Sequence, residues 1–124
     1  MLKEGLTHTS RVKVVLENCA VTLGSGDMEV FATPAMVALM ENAAMNAVAE
    51  ALPEGSTTVG SEMNTTHIKP SGIGTEVSAT AVLTSVEGRK LTFKVSAADQ
   101  VGTIGEGVHV RYVVDREKFM SKVR

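Results

Sequence analysis

The chain has 124 residues, 12 Lys+Arg against 14 Asp+Glu, a formal net charge of −2 and 44% hydrophobic residues. That length predicts a single domain over residues 1–124, and the charge balance excludes the basic stripe that nucleic-acid phosphates require. The longest mostly apolar stretch, Pro34 to Leu52, is broken by Glu41, Asn42, Asn46 and Glu50, so no membrane span is expected.

In chain order, Arg11–Glu17 alternates as a first strand with Val12, Val14 and Leu16 on one face. Cys19–Glu29 reads as a short connection, with Gly24-Ser25-Gly26-Asp27 as a turn signal. Pro34 to about Leu52 is the clearest helix. Thr33 suits its N-cap, and Pro34 its first helical position, where the missing N–H would be unpaired anyway. Pro53 and Gly55 close it. Thr57–Lys69 alternates loosely as a strand, and Thr75–Val86 sets Val77, Ala79, Ala81 and Leu83 on one face. Glu87-Gly88 turns the chain into a return strand lined by Leu91, Phe93, Val95 and Ala97. Gly102–Val114 is a last strand with Val108, Val110, Tyr112 and Val114 in alternation. Asp115 caps a short amphipathic tail, Arg116–Val123. One strand, a long helix and four strands with short turns predict an α+β fold with an antiparallel sheet. The small core residues Val, Ala and Leu, with seven Met, suggest a helix lying tight on that sheet.

The helix is nearly apolar all round. With Glu41 at zero, Val37 and Met45 lie about 40° to either side and Val48 and Leu52 about 20°. Asn42, Asn46 and Glu50 gather between roughly 100° and 180°. A helix wrapped by protein on most sides and cradled by one antiparallel sheet suggests the hot-dog architecture. Glu41 is the charge out of place in it. An unpaired carboxylate there costs on the order of several kcal/mol, so it either pairs with a cation, meets a wet interface or marks a site.

His67 shares parity with Val59, Met63 and Thr65, which points it inward, as a hydrogen-bonded core histidine or as a base. His8 lies in an N-terminal arm and His109 on the face opposite Val108 and Val110; both read as non-catalytic. Thr33 needs no role beyond capping, yet a helix N-terminus also offers free N–H groups and positive potential to a developing oxyanion. Thr33, Glu41 and His67 together supply the hydroxyl, carboxylate and imidazole used in attack on an acyl group. Arg111, opposite Val110 and Tyr112, is either a solvated charge or a contact for an anionic ligand. Gly102–Gly107 precedes a strand, where a phosphate loop would need a helix. The three histidines lack metal-ligand spacing, so no metal site is expected. One cysteine, Cys19, cannot form an internal disulfide and reads as inert packing, and Met1-Leu2-Lys3-Glu4 lacks a signal-peptide pattern. A cytoplasmic protein is therefore expected.

Val30-Phe31-Ala32-Thr33, Met36-Val37, Leu39-Met40-Glu41, Thr66-His67, Ser85-Val86-Glu87-Gly88-Arg89 and Glu117-Lys118-Phe119 resemble, in order and spacing, the fluoroacetyl-CoA thioesterase-like family of hot-dog proteins. The resemblance runs from Val30 to Val123. It implies a homodimer joined edge to edge, with dimers of dimers open, and acyl-CoA sites at the subunit interface. It implies thioester hydrolysis to a carboxylate and free CoA without metal or cofactor. Thr33 would be nucleophile or hydrogen-bond donor, His67 the general base, and Glu41 its orienting or participating carboxylate. The backbone N–H of Gly60 would polarise the thioester oxygen, and Arg111 matches a family arginine near the site. Lys69, Arg89, Lys90 and Arg111 are candidates for a basic patch that receives the CoA phosphates. The chain departs from the fluoroacetyl-specific pattern in Cys19–Glu29, which is short and lacks the aromatic lid, leaving room for a larger acyl group. The rival readings are a non-catalytic acyl-CoA binder, a hot-dog hydratase or dehydratase, for which no Asp-then-His pattern is present, and a plain structural module.

Overall fold

A computed structural model describes residues 1–124. Five strands form one antiparallel sheet in the order β1-β3-β4-β5-β2: β1 Thr7–Lys13, β2 Ser56–Thr65, β3 Glu76–Glu87, β4 Lys90–Ala98 and β5 Thr103–Asp115. The central helix α2, Thr33–Val48, runs on through a 3-10 turn, Ala49–Ala51, and packs mainly against β1 and β3. This is the predicted hot-dog arrangement. Met36, Met40, Ala43, Ala44 and Val48 form the buried stripe of α2, set on Val77, Ala79, Ala81, Phe93 and Val95. Alanine on both sides of the contact lets helix and sheet approach closely, as the small-residue core predicts. Gly105 adds to this, because a Cβ there would run into the Thr66 carbonyl and lie 2.9 Å from Met36 Sδ. No helix is long and apolar enough to cross a membrane.

Three local expectations are corrected. The first strand is Thr7–Lys13 rather than Arg11–Glu17. Its register on β3 runs from Thr7 opposite Val82 to Lys13 opposite Glu76, after which the chain bends into a 3-10 turn at Leu16–Asn18 that leaves Leu16 exposed. The connection Cys19–Glu29 contains a short helix α1, Ala20–Leu23, stopped by Gly24 at φ +79. In β5 the apolar alternation lies on the outer face: Val108 and Tyr112 are exposed and Val114 half-buried, with only Val110 buried there, while His109 and Arg111 are buried on the inner face. The reason lies in what covers them. The inner face of β5 meets the helix at Gly105, then carries the polar pair His109 and Arg111 before Val113 rejoins the core. The tail is as predicted: Asp115 accepts a hydrogen bond from Lys118 N, 3.0 Å, to cap a helix α3 over Arg116–Ser121.

Candidate active site

Two polar centres flank α2. The first is at its N-terminus. Phe31 N donates to Ser71 O and Ala32 N to Asn18 O, at 2.9 and 3.0 Å, so the entry to the helix is clamped from both sides. Ala32, extended and with no side-chain cap, occupies the N-cap position, and Thr33 is already helical. Thr33 is therefore not the cap. Its hydroxyl is free for another partner, and Oγ1 lies 2.7 Å from His67 Nδ1. With Ala32 unable to cap, the first-turn N–H groups have no side-chain acceptor.

His67 sits just past the end of β2, held between Thr66 N donating to Glu106 O at 3.0 Å and Ile68 N donating to Ile104 O at 2.7 Å. Its inward orientation is as expected, but Val59 does not share it. A bulge between Gly60 and Glu62 shifts the register, so Thr58 and Gly60 face inward before it and Met63 and Thr65 after it. His67 Nε2 is buried without a hydrogen-bond partner. Burial holds the imidazole below the ordinary histidine range, opposed in part by the Lys69 backbone. A cavity of about 280 Å³ opens over the pair, with Ala20, Val30, Phe31 and Ile68 in its wall. Lys69 reaches the same cavity, its Nζ 2.8 Å from Asp99 Oδ2, and Ser71 Oγ donates to the same oxygen at 3.0 Å.

The second centre is two turns along α2, about 12 Å of helix rise from Thr33. Here half-buried Glu41 faces Gly60 and Arg111 across a cavity of about 400 Å³. A Cβ on Gly60 would stand 2.8 Å from Glu41 Oε2 and 3.5 Å from Arg111 Nη1. Glycine at position 60 therefore leaves an opening between carboxylate and guanidinium. Arg111 is buried, not solvated: Nε donates to Thr58 Oγ1 at 2.7 Å and Nη2 to Thr58 O at 2.9 Å. Burial lowers the arginine's proton affinity and Glu41 raises it, though the guanidinium stays charged. Within one chain, then, Thr33 and His67 meet, while Glu41, Gly60 and Arg111 meet elsewhere.

A family model described as the fluoroacetyl-CoA-specific thioesterase matches residues 14–117. The fluoroacetyl-CoA thioesterase of Streptantibioticus cattleyicolor is 48% identical over 96 residues, 77% of this chain and 69% of that one. The chain belongs to this family. It is a thioester hydrolase, and its fold agrees. The thioesterase superimposes on the solved structure of fluoroacetyl-CoA thioesterase FlK with a TM-score of 0.93 at 38% identity, over 100% of this chain and 96% of that one. A FlK variant solved with acetyl-CoA gives 0.94 at 38% identity, over 99% and 97%. A thioesterase superfamily member from Thermus thermophilus gives 0.90 at 26% identity, over 98% and 90%.

A hydroxyl on an uncapped helix N-terminus, hydrogen-bonded to an imidazole, is an arrangement that can polarise and attack an acyl carbonyl. Two polar residues of the second centre escaped the sequence reading. Thr58 carries no sequence signal of its own, and His109 reads as non-catalytic because it lies opposite Val108 and Val110. The signal that finds both is register: Gly60 pairs with Arg111 and Met63 with His109, so the odd-numbered residues of β5 share the glycine's face. Cys19 is fully buried, and burial with nearby Glu29 and Glu17 pushes its thiol up, so it has little nucleophilic character.

Proposed function

We propose that the thioesterase hydrolyses acyl-CoA thioesters, and that Thr33 and His67 act on the thioester carbonyl. The observation that carries this is the 2.7 Å approach of Thr33 Oγ1 to His67 Nδ1 beside an uncapped helix N-terminus. Thr33 Oγ–H donates to neutral His67. The imidazole accepts a proton as the threonine oxygen, or a water held by it, attacks the carbonyl carbon. First-turn N–H groups of α2 take up the negative charge on the carbonyl oxygen. The C–S bond breaks, the proton passes from His67 to the departing sulfur, and CoA leaves as a thiol; if Thr33 was the nucleophile, water then hydrolyses the acyl ester. Lys69, at the cavity rim, suits a CoA phosphate. The test is free-thiol release from a panel of acyl-CoAs of increasing chain length, with His67→Ala alongside. Turnover that vanishes in the variant supports the reading. Undiminished turnover in the variant removes it, and a folded wild type that turns over no ester indicates an acyl-CoA binder.

We further propose that the working unit is a homodimer paired through the edge strand β2, with the Glu41, Gly60 and Arg111 centre of one subunit completing the Thr33–His67 centre of the other. Support comes from the two turns of helix that separate Glu41 from Thr33 in one chain, and from the unpaired outer edge of β2. Glu41→Gln and His67→Ala, each inactive alone, should recover about a quarter of wild-type activity when dissociated and reassociated together, because half of the randomly paired dimers then hold one intact site. No recovery would place each site within one chain.

A further inference from the structure

We propose that His109 is a positioning residue that fixes the plane of the Arg111 guanidinium through a single, locked tautomer. The proposal rests on the reading above that Arg111 belongs to the substrate site. His109 is buried, and its Nδ1 lies 2.8 Å from the carbonyl oxygen of Glu62. A carbonyl only accepts, so Nδ1 carries the proton. In the neutral ring Nε2 is then a lone-pair acceptor, and Arg111 Nη1 donates to it at 3.1 Å. The second proton that would make the ring a cation belongs on that same Nε2, where it would point at a guanidinium with no acceptor to offer. The imidazole is thus held neutral by geometry.

The consequence falls on Arg111. Of its five N–H bonds, one on Nε, one on Nη1 and one on Nη2 are taken by Thr58 Oγ1, His109 Nε2 and Thr58 O. Two remain, one on each terminal nitrogen. Nη1 lies 3.5 Å, His109 Cε1 3.2 Å and Glu41 Oε2 2.8 Å from the position a Gly60 side chain would fill. Three fixed bonds leave the guanidinium no rotational freedom about its last torsions. It meets the opening between Glu41 and Gly60 with its orientation already set, and no ordering is required when substrate arrives. Phe93, with its ring centroid 6.3 Å from that of His109, backs the imidazole from the core side.

The experiment combines kinetics with nitrogen NMR of the imidazole. His109→Leu removes the acceptor, and His109→Gln returns an amide oxygen near the position of Nε2. We expect kcat/KM for the best acyl-CoA to fall roughly ten-fold in His109→Leu and to recover most of that in His109→Gln, the worth of one hydrogen bond to a charged group. In an Arg111→Met background, His109→Leu should cost nothing further, because it acts through the arginine. A merely structural histidine would lower the unfolding midpoint and reduce kcat/KM equally in both backgrounds. That result, or an unchanged His109→Leu enzyme, overturns the proposal. Long-range proton–nitrogen correlation on the wild type should find His109 protonated on Nδ1 and bare on Nε2. The opposite tautomer overturns the proposal whether or not His109→Leu folds. If the wild type hydrolyses no thioester, the function proposed above fails, and the tautomer measurement still decides this one.

Discussion

Thr33 Oγ1 and His67 Nδ1 stand 2.7 Å apart across 34 residues of sequence, one on the first turn of α2 and the other just beyond the end of β2. The contact exists because Ala32, rather than Thr33, takes the N-cap position. A capping threonine would turn its oxygen onto the backbone N–H groups of its own helix, away from the imidazole.

Both side chains are at least partly open to solvent, so removing them tests chemistry with little effect on folding. His67→Ala should lower kcat/KM by about 10²–10⁴-fold, the usual worth of a general base. Thr33→Ala should cost a comparable factor, and Thr33→Ser much less, since it keeps the hydroxyl. Urea midpoints should move by under about 1 kcal/mol in each variant. Wild-type kcat/KM in Thr33→Ala would remove the hydroxyl from the mechanism.

The acid limb of kcat/KM should fall below pH 6.5, because burial lowers the His67 pKa and the neutral ring is the active form. Stability follows the same sign. His67 and His109 both have folded pKa values depressed by burial, so the folded state binds fewer protons than the unfolded chain just below pH 6.5. Their contribution is fully present above the unfolded value and declines as pH falls through it toward the folded ones. Denaturant midpoints measured between pH 8 and 5 should therefore drop on the acid side, roughly below pH 6.5. A midpoint that rises there would contradict the buried, neutral state of both rings.

Gly60→Ala should separate function from folding. The new methyl would meet Glu41 Oε2 at 2.8 Å, the far end of a flexible side chain that can swing aside, and His109 Cε1 at 3.2 Å, a tight contact relieved by a shift of a few tenths of an ångström. Stability should change by less than about 1 kcal/mol, while kcat/KM falls at least about ten-fold as the methyl displaces Glu41 and fills the opening beside Arg111. Full activity in Gly60→Ala would show that this opening is not part of the site.

Asp99 ties the segment after His67 to the β4–β5 turn. Its carboxylate accepts from Lys69 Nζ, Ser71 Oγ, Val101 N and Gly102 N. Lys69 is the largest of the influences that hold its pKa at about 2, against the opposing effect of burial. The stabilisation is present above the ordinary aspartate value of 3.8 and is lost as pH falls from there toward about 2. Asp99→Ala should destabilise the fold by about 1–3 kcal/mol at neutral pH, through four orphaned donors. It should also raise KM or lower kcat by loosening His67. An unchanged midpoint in thermal unfolding would refute the tie.

Much of the fold was legible in the sequence because its strands alternate cleanly. Val77, Ala79, Ala81 and Leu83, like Leu91, Phe93, Val95 and Ala97, are all buried as read. Alternation failed in β5, where Val108 and Tyr112 look like core and are not. Period-two patterning says that two faces differ, and only the neighbouring elements say which face is inside. The bulge after Gly60 hid the parity of Val59 in the same way, since one extra residue exchanges the faces on either side of it.

By itself the sequence determined the element order, the long central helix, the misplaced charge of Glu41 and the residue types of an acyl-transfer site. Those follow from local propensity and from spacing along the chain. Only the tertiary structure decided that Thr33 leaves its capping role to meet His67, that Glu41 instead faces Gly60 and Arg111, and that His109 turns inward to hold the arginine. Each of these depends on the register between β2 and β5 and on how far α2 covers the sheet, quantities set by packing between segments distant in sequence.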